Sequence, residues 1–498
     1  MENLKKLLEG LSFDLISGKS DVEISQTCVD SRKAKKGSLF FALLGQSKDG
    51  AEYIDDAINR GAACVITDSP EIRQKASRLK IPQGFPVISC ANARELMGQI
   101  HRRFYSDPSS QMDVVGITGT NGKTTAVYLL EHILKANKQN PGVISTIRYS
   151  FGNRSIPAEM TTPDSPDLFD LLSQMVKSGC DVAVMEVSSQ AASQKRISGV
   201  RFKLKAFTNL SQDHLDYHRT IEEYGQAKES FLFSRENIPV VLNIDDSFGK
   251  KMHEAHRSHV ESVTYSVRSE ADFQAVIERD GFLQGSFIVK TSEGEAEVQT
   301  KLQGIFNVYN ILAGLAAASL LGVELNKAIE AVRTFSPPQG RLSEVACWSG
   351  NVIYVDYAHT PDALKSVLET LKSRHPRQLS VCFGCGGERD KEKREKMGRI
   401  AAEMADAIFI TNDNPRREDP DAIITDILRG ADSQKTVVEK DRRKAIARAI
   451  ESMKENDILL VAGKGHENYQ ITGSQYIPFN DMEVVTQICR EIEKKTTN

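Results

Sequence analysis

Short apolar segments, each followed by a polar or glycine-containing turn and then by a helix-forming segment, recur through much of this sequence. The clearest are VVGI at 114–117, VAVM at 182–185, VIYV at 352–355 and ILLVA at 458–462. Strands that are apolar on both faces and alternate with helices are typical of parallel sheets that helices cover on both sides. We therefore predict an α/β protein with mostly parallel, doubly wound sheets.

Two turn-rich segments divide the 498 residues into three blocks, which suits a usual domain size of ~150 residues. One is YSDPSSQMD at 105–113, and the other is FSPPQGR at 335–341, which is rich in proline. We predict three domains: a small N-terminal α/β domain at 1–108, a central domain with a mostly parallel sheet at 109–337, and a Rossmann-like C-terminal α/β domain at 338–498.

The composition excludes several classes of protein. With 40% hydrophobic and 26% charged residues and a net charge of −3, the chain is neither disordered nor a disulfide scaffold, and it has no broad positive field for nucleic acid. The most apolar segment, at 311–323, is shorter than the roughly 18 residues of a membrane span, and the first residues do not resemble a signal peptide. We expect a cytosolic protein without membrane insertion, whose eight cysteines are reduced. Cys382 and Cys385 form a CxxC pair, without the second pair of a zinc site.

The most informative segment is VVGITGTNGKTTAVYLLEHIL at 114–134, in which a strand leads into a glycine-rich turn and then into an amphipathic helix. In such a turn, backbone N–H groups, the positive end of the helix and a lysine ammonium hold a polyphosphate, while a hydroxyl reaches its magnesium ion. The loop is a variant of the strict P-loop, because position 117 is Ile and not Gly. We predict that ATP binds here, and the alternative is a glycine-rich turn without nucleotide. The loop alone leaves a kinase, an ATPase motor and an ATP-dependent ligase open.

A series of further motifs narrows the choice among these three reactions. In chain order they are TGTNGKTT, MEVSSQ, TNLSQDHLDYH, NIDD, GIFNVYN, QGRL, DYAHTPDAL, FGCGGERDKEKR and GKGHENYQ. Together they resemble the Mur ligases of bacterial cell-wall synthesis, in particular the members that add meso-diaminopimelate. The resemblance implies an ATP-dependent ligase that phosphorylates the carboxylate ending UDP-MurNAc-L-Ala-D-Glu and lets an amine attack the acyl phosphate, in peptidoglycan precursor synthesis. ATP is then a substrate, and Mg²⁺ screens the repulsion between carboxylate and phosphate.

The resemblance implies a set of catalytic positions: Lys123, Glu186, His214, Lys228 and Arg341. It also implies that Thr124, Glu186 and His214 hold magnesium, and that Lys228 carries a carbamate which supports the metal. From the residues alone, Glu186 could cap a helix, His214 could be a structural histidine, and Lys228 could be a solvated surface charge.

Nucleotide contacts are implied in the central and C-terminal blocks. They are Gly119, Thr120, Asn121, Gly122, Lys123, Thr124, Thr125, Asn243, Asp245, Asn307, Asn310, Arg341, Asp356 and His359. Because Arg341 lies just after the proline-rich linker, we expect domain closure to bring its guanidinium to the phosphates.

Contacts to the sugar nucleotide are implied in the first two blocks. The uridine-side positions are Val29, Ser31, Gln46, Ser47 and Lys48, and the muramoyl-peptide positions are Thr161, Thr162, Ser188, Gln194 and Arg196. Hydroxyls and an arginine are suitable donors for a diphosphate and carboxylates. Taken singly, such Ser, Thr and Gln residues more often form turns or helix caps.

The segment TNDNPRREDP at 411–420 bears on which amine is added. Meso-diaminopimelate has a distal carboxylate that L-lysine lacks, and a charged hydrogen bond to it is worth roughly 1.5–3 kcal/mol. Arg416 supplies a cation for this carboxylate, and the resemblance adds Arg389 beside the carboxylate and Glu467 beside the distal ammonium. The implied amino-acid contacts are Arg389, Asp413, Asn414, Pro415, Arg416, Gly463 and Glu467. The alternative for Asp-Asn-Pro is a plain strand-to-loop turn.

The sequence departs from the family pattern at Gln190, where His is common, at Glu388, where Asp is usual, and in KEKREKM, which lacks the usual glycine and proline. A paralogue that adds L-lysine or another amine to a different carboxylate therefore stays open. So do, from other classes, a P-loop NTPase without ligation and a nonenzymatic nucleotide-binding module. The expected partners are small molecules only, and we expect a monomer.

Overall fold

A computed structural model describes residues 1–45, 48–72, 81–234, 237–277, 285–346 and 350–497. The chain folds into two compact units. The first unit comprises Met1–Gly116 and Gln139–Lys203, and the second comprises Ile117–Lys138 and Leu204–Asn498.

The strands of the described residues are β1 Glu2–Asn3, β2 Asp14–Ser17, β3 Glu23–Ile24, β4 Gln26–Cys28, β5 Ser38–Ala42, β6 Ala62–Thr67, β7 Val87–Ser89, β8 Asp113–Thr118, β9 Pro141–Ile144, β10 Arg148–Phe151, β11 Arg154–Pro157, β12 Val182–Glu186, β13 Leu204–Phe207, β14 Val240–Asn243, β15 Ser262–Ser266, β16 Phe273–Val276, β17 Ser286–Thr291, β18 Gly294–Gln299, β19 Ser343–Ala346, β20 Val352–Asp356, β21 Leu379–Phe383, β22 Ala407–Ile410, β23 Thr436–Val438, β24 Ile458–Ala462, β25 Tyr469–Thr472 and β26 Gln475–Pro478.

The α-helices are α1 Leu4–Leu8, α2 Ile54–Asn59, α3 Ala93–Phe104, α4 Lys123–Ala136, α5 Ser165–Lys177, α6 Ser189–Ser193, α7 Leu215–His218, α8 Ile221–Leu232, α9 Ser247–His256, α10 Ile305–Leu320, α11 Leu325–Thr334, α12 Pro361–Lys372, α13 Glu392–Met404, α14 Pro420–Leu428, α15 Arg442–Glu451 and α16 Asp481–Thr497. Within these described residues, no helix is long and apolar enough to cross a membrane.

The first unit contains a five-stranded sheet in the order β2-β7-β6-β5-β4. Strands β4 to β7 are parallel, and β2 is antiparallel at the edge. Strand β5 is buried along its whole length, as expected for a strand with apolar cores on both faces. Farther along the chain, β9 pairs parallel with β12, while β10 joins β9 and β11 in an antiparallel meander. Strand β12 ends on Glu186, so this carboxylate lies where a parallel strand ends.

The second unit contains parallel strands β13, β14, β15 and β16, followed by the antiparallel strands β17 and β18. Helix α4 packs against α10, and both are largely buried. A Cβ atom at Gly314 of α10 would lie 3.0 Å from Leu129 of α4, so a glycine lets the two helices approach closely. The contact holds the first turn of α4 in a fixed place.

The second unit also contains a six-stranded sheet in the order β19-β20-β24-β21-β22-β23. All its strands are parallel except β19, and apolar cores cover both faces. The segments after β20, β21, β22 and β24 therefore leave the same edge of the sheet. Strands β25 and β26 form a separate hairpin.

The mostly parallel α/β organisation predicted from the sequence is confirmed. The four apolar segments named first form strands β8, β12, β20 and β24, and the apolar segment at 311–323 falls largely in helix α10. The antiparallel pairs β10–β11 and β17–β18 were not predicted, because β11 and β18 are short, largely exposed and carry few apolar residues. The expectation that all cysteines are reduced is wrong at Cys489, which is disulfide-bonded. The domain boundaries at 108 and 337 stay predictions.

Candidate active site

The glycine-rich turn between β8 and α4, residues 119–122, is held against the segment 208–211; we call this turn the phosphate loop. The backbone of Thr120 donates to Asn209 O at 2.9 Å, and Thr208 Oγ1 donates to Asn121 O at 2.6 Å. Gly119 has a φ of 148°, and a Cβ atom there would lie 1.8 Å from Thr208 Oγ1. No other residue fits at Gly119 without displacing this segment.

Helix α4 begins at Lys123, directly after Gly122, which has a φ of 88°. The N–H groups of Lys123, Thr124 and Thr125 lie in the first turn of α4, at the positive end of the helix, which favours an anion. The Lys123 ammonium contacts the carbonyl oxygens of Gly119 at 3.0 Å and Thr120 at 2.8 Å. The predicted phosphate-binding residues therefore form one continuous cradle.

Lys228 on α8 lies directly behind the phosphate loop. Its side chain is 1% exposed, donates to Gly119 O at 2.8 Å and lies 4.1 Å from the ring centroid of Tyr224. Burial, together with the charge of Lys123, lowers the pKa of Lys228 well below its ordinary value. The alternative of a solvated surface charge is wrong.

Arg341 contacts the start of α4. Its Nη2 donates to Thr124 Oγ1 at 2.9 Å, and its guanidinium carbon lies 4.5 Å from the ring centroid of Tyr357. Gly340 before it has a φ of 75°, and a Cβ atom there would lie 2.2 Å from the backbone nitrogen of His466. Arg341 is therefore fixed by an aromatic face and by a loop that requires glycine.

The predicted nucleotide contacts after the phosphate loop lie in three groups. Asn310 on α10 donates to Asn307 Oδ1 at 3.0 Å, and a Cβ atom at Gly122 would lie 2.3 Å from Asn310 Oδ1. Asp356 at the end of β20 accepts from the backbones of Leu342 and Ala358, and burial raises its pKa despite nearby Arg341. Asn243 donates to Thr208 O at 2.8 Å, and Tyr309 donates to Asp245. Asn307 and Asn310 thus lie beside the phosphate loop, while Asp356 fixes the backbone beside Arg341.

The buried carboxylate of Asp213 lies close to its neighbour His214 and to two residues that are distant in the sequence, His359 and Lys393. His214 Nε2, His359 Nε2 and Lys393 Nζ lie 3.5, 3.6 and 3.6 Å from its oxygens. Burial opposes ionisation, yet the nearby side chains of His359 and Lys393 hold the pKa of Asp213 well below its usual range. Burial lowers the pKa of His214 to about 4, although Asp213 acts in the opposite sense. His214 is therefore a neutral imidazole at pH 7, the form that binds metals.

In the first unit, Glu186 anchors a cluster of predicted substrate residues. Its carboxylate accepts from the backbone and the hydroxyl of Thr146 at 2.8 and 3.1 Å, and its carbonyl accepts from Thr162 at 2.9 Å. Thr146 also contacts Thr161, at 3.1 Å between the hydroxyl oxygens. Ser188 donates its backbone N–H to Thr162 and caps α6. Glu186, Thr161, Thr162 and Ser188 therefore lie together.

Arg196 extends this cluster. It donates to Gln194 Oε1 at 2.7 and 2.9 Å and to Thr162 O at 3.1 Å, and it pairs with Asp164 at 3.0 Å. The departure at Gln190 lies in the adjoining helix α6.

The predicted uridine-side residues lie elsewhere in the first unit. Ser31 is buried at the start of a 3₁₀ turn, Val29 packs on the N-terminal core, and Lys48 is exposed with its carbonyl accepting from Gly45. None of these three makes a hydrogen bond to the Glu186 cluster within the described part of the chain. Gln46 and Ser47 lie outside the described residues.

Arg389 and Arg416, which we call the arginine pair, face the same glycine in the loop after β21. A Cβ atom at Gly386 would lie 3.0 Å from Arg416 Nη1 and 3.5 Å from Arg389 Cγ. Arg416 Nη1 donates to Gly387 O at 2.8 Å, and Arg389 lies 3.7 Å from Asp216. Arg416 Nε and Nη2 make no hydrogen bond to the described residues, so part of the fork can bind a carboxylate.

Asn414 and Glu467 form a polar group with a lysine that the sequence did not indicate. Lys464 is fully buried, and its ammonium donates to Asn414 Oδ1 at 3.0 Å and Glu467 Oε2 at 2.7 Å. Asn414 Nδ2 donates to the same Glu467 oxygen at 2.9 Å. A Cβ atom at Gly463 would lie 2.8 Å from Asp413 Oδ2. These hydrogen bonds connect the segment after β22 to the segment after β24, beside Pro415 and Arg416.

Several residues of this site were missed by sequence reasoning, although they lie in quoted motifs. Asp213 precedes His214, Lys393 belongs to RDKEKR, and Lys464 belongs to GKGHE. Their positions in the motifs are a signal, but some of their partners, such as Asn414 for Lys464 and Asp213 for Lys393, are distant in sequence. Within the described residues no group of three or more His, Cys, Asp or Glu side chains is arranged to hold a metal. Burial raises the pKa of Cys382 and Cys385 to about 12.

The fold and the site define an α/β protein built around a phosphate-binding loop. Residues 23–105 match the Mur ligase family, catalytic domain; residues 117–318 match the Mur ligase middle domain; and residues 340–465 match the Mur ligase, glutamate ligase domain. The chain belongs to the Mur ligase family, as the motifs predicted, and contains three α/β domains, as the turn-rich segments predicted.

Full-length relatives support the same conclusion. A UDP-N-acetylmuramoyl-L-alanyl-D-glutamate–2,6-diaminopimelate ligase of Caldanaerobacter subterraneus subsp. tengcongensis is 39% identical, over 99% of this chain and 100% of the relative. The ligase of the same name from Clostridioides difficile is 39% identical, over 97% and 99%. A solved structure of a ligase of that name is similar with a TM-score of 0.68 and 30% identity, over 99% of both chains. The MurF ligase of Thermotoga maritima in complex with ADP, at 18% identity and a TM-score of 0.62 over 94% and 98%, shares the fold.

Proposed function

We propose that this chain is an ATP-dependent ligase that adds meso-diaminopimelate to UDP-N-acetylmuramoyl-L-alanyl-D-glutamate, in the synthesis of peptidoglycan precursors. The observation that carries the proposal is the hydrogen bond from Arg341 to Thr124. It joins the C-terminal segment, which bears the arginine pair, to the first turn of α4, directly after the phosphate loop, within one compact unit. The full-length likeness to ligases of this name supports the proposed substrates.

The phosphate loop and its surroundings fit a nucleoside triphosphate. The first N–H groups of α4 and the Lys123 ammonium are donors for the β- and γ-phosphates. The Arg341 guanidinium, already beside Thr124, adds a cation where charge develops during phosphoryl transfer. These charges are preorganised because the glycine contacts of the loop fix the backbone.

Magnesium fits several of the predicted donors. Thr124 offers a hydroxyl oxygen, and His214 offers a neutral imidazole because its pKa is lowered to about 4. Lys228 joins a donor set only as a carbamate, and its lowered pKa favours the neutral amine that reacts with carbon dioxide. Glu186, in the first unit, stays a predicted ligand. When bound, magnesium screens the negative charge between carboxylate and phosphate.

The proposed reaction has two displacements. An oxygen of the acceptor carboxylate attacks the γ-phosphorus and the bond to the bridging oxygen breaks, so ADP leaves and an acyl phosphate forms. The amine then attacks the acyl carbon, the bond to the phosphate oxygen breaks, and the amine nitrogen loses a proton. Inorganic phosphate therefore leaves with one oxygen of the original carboxylate. Lys123 and Arg341 stabilise the transferring phosphoryl group.

The charges around the arginine pair favour an amine substrate with a distal carboxylate. Arg389 and Arg416 present two cations, and Glu467 is already paired with Lys464. An L-lysine substrate would bring a distal ammonium but no distal carboxylate to pair with the arginines. We therefore propose that meso-diaminopimelate is preferred to L-lysine.

A panel of amino acids tests the proposal. ATP, the UDP-linked dipeptide and one amino acid at a time are incubated with the protein, phosphate is measured, and the product is identified by mass. We expect phosphate release only with all components, and a tripeptide product with meso-diaminopimelate. A product with L-lysine alone would identify a paralogue, and phosphate release without an amine or acceptor would identify an NTPase. The cytoplasmic location, the monomeric state and the absence of nucleic-acid partners stay predictions.

A further inference from the structure

A partly buried ion pair contacts the loop that precedes Arg389. Arg394 on α13 has no exposed side-chain surface, and its two terminal nitrogens donate to the two carboxylate oxygens of Glu418 at 2.7 and 2.8 Å. Nη1 also contacts Asp426 on α14 at 3.0 Å. The hydrogen bonds from Arg394 lower the pKa of Glu418 to about 2, so the pair is ionised at neutral pH. A two-pronged contact of this kind fixes orientation as well as distance.

The same pair holds the loop 386–388, which follows β21 and directly precedes Arg389. Glu418 Oε2 accepts the backbone N–H of Glu388 at 2.9 Å, and Arg394 Nη2 donates to Gly386 O at 3.3 Å. The ion pair therefore contacts both ends of a three-residue loop. Glu388 has a φ of 54°, a conformation that L-residues adopt only when their surroundings fix it.

The middle of this loop contacts the other arginine. The backbone of Gly387 donates to Asn414 O at 2.9 Å, and its carbonyl accepts from Arg416 Nη1 at 2.8 Å. Gly387 also lies so close to Pro415 that a Cβ atom would be 2.0 Å from the Pro415 oxygen. A shift of the loop would therefore move both members of the arginine pair.

We infer that Glu418, acting through Arg394 and the loop 386–388, is a positioning residue that sets the arginine pair for the distal carboxylate of the amine substrate. The inference rests on the proposed function. It also accounts for the tolerance of Glu at position 388, since Glu418 contacts the backbone of that residue and not its side chain.

Kinetics of the full-length protein test this role. Glu418→Gln keeps the size of the side chain and removes its charge. We expect the KM for meso-diaminopimelate to rise about tenfold or more, and the KM for ATP and kcat to change less than about twofold, because a charged hydrogen bond is lost only at the amine site. Glu418→Asp, which keeps the charge, should recover part of the loss.

Asp426→Asn is the matched control, because Asp426 contacts the same guanidinium without contacting the loop 386–388. Its KM for meso-diaminopimelate should stay within about threefold of wild type, since the loop contacts remain. Equal KM values for Glu418→Gln and wild type, or equal rises for meso-diaminopimelate and ATP, would overturn the inference.

If Glu418→Gln shows no thermal unfolding transition, it is not folded and its KM cannot be interpreted. The KM for meso-diaminopimelate of Glu418→Asp is then compared with that of Asp426→Asn. A KM for meso-diaminopimelate that is higher in Glu418→Asp than in Asp426→Asn supports the positioning role, and equal values overturn it. Wild-type protein is assayed first. A wild type that joins no amine to the acceptor would contradict the proposed function, whereas normal wild-type ligation with unchanged variants would contradict only the role of Glu418.

Discussion

Arg341 donates a hydrogen bond from Nη2 to the hydroxyl of Thr124 at 2.9 Å, across 217 residues of sequence. Thr124 lies in the first turn of α4, while Arg341 lies directly before the C-terminal sheet. The contact places a cation at the phosphate loop, and Tyr357 holds its guanidinium from one face. The segments that we propose to bind nucleotide and amine are thereby connected within one unit.

Replacing Arg341 tests this coupling. Arg341→Ala should lower kcat about 100-fold, because a preorganised donor at the transferring phosphoryl group is lost. Arg341→Lys keeps the charge but not the planar fork, so it should recover only part of the rate. Steady-state phosphate release and product formation measure both effects. Arg333→Ala, which removes an exposed ion pair on α11, is the control, and wild-type rates in Arg341→Ala would contradict the assigned role.

Lys228→Ala tests the carbamate. The variant should lose activity by about 100-fold or more if a carbamate supports the metal, and acetate or formate should restore part of it by replacing the missing carboxylate. Arg341→Ala serves as the control, since small carboxylates cannot replace a guanidinium. Turnover measured with and without the added acid checks the prediction, and a Lys228→Ala variant that no acid restores would leave the carbamate unsupported.

Arg416→Ala tests recognition of the distal carboxylate. The KM for meso-diaminopimelate should rise about tenfold or more, while the KM for ATP stays within about twofold, because one charged hydrogen bond is lost at the amine site. The neighbouring Arg417 makes no hydrogen bond or ion pair to described residues, so Arg417→Ala is a matched control. Equal rises for both substrates would remove the carboxylate explanation.

The lowered pKa of His101 leads us to expect that the stability of the first unit depends on pH. Burial lowers its pKa to about 3 from the ordinary 6.5, so the folded chain keeps it neutral where the unfolded chain protonates it. Stability should therefore fall as the pH drops from 6.5 towards 3, by about 1.4 kcal/mol per pH unit from this group. His101→Gln should remove that part of the slope in denaturant unfolding curves measured between about pH 7 and pH 4.5.

Ser165→Ala provides the control for this measurement. Ser165 contacts His101 Nδ1 at 2.8 Å, so the variant loses a buried hydrogen bond but keeps the titrating ring. Its stability should be lower at every pH while the acid-side slope remains. An unchanged slope in His101→Gln would assign the acid sensitivity to other groups.

Much of the fold could be predicted from local sequence patterns, because apolar strands such as β12 and β24 are buried along their length and bounded by turn residues. The phosphate loop could be predicted in the same way, since its glycines and Lys123 act close together in sequence. The burial of Lys228 could not, because its helix carries enough charge to suggest a surface position. Burial of such a side chain depends on Gly119, a residue distant in sequence.

The ion pair between Arg394 and Glu418 could not be predicted from the sequence either. Arg394 and Glu418 are 24 residues apart, and each lies in a charged segment typical of a solvated surface. Only the packing of α13 beside the loop after β22 reveals that the two charges are paired and that Arg394 is buried. Sequence reasoning indicated Arg389 and Arg416 through a family resemblance, but not the residues that hold them.

The most direct test of the proposed ligation through an acyl phosphate follows an oxygen atom of the acceptor carboxylate. The acceptor dipeptide is labelled with heavy oxygen in the carboxylate that is to be joined, and the protein is supplied with ATP and meso-diaminopimelate. Mass analysis of the inorganic phosphate should show one labelled oxygen transferred for each amide formed, because the carboxylate oxygen leaves with the phosphate. Phosphate that contains no label, or ATP consumption without amide formation, would contradict the account.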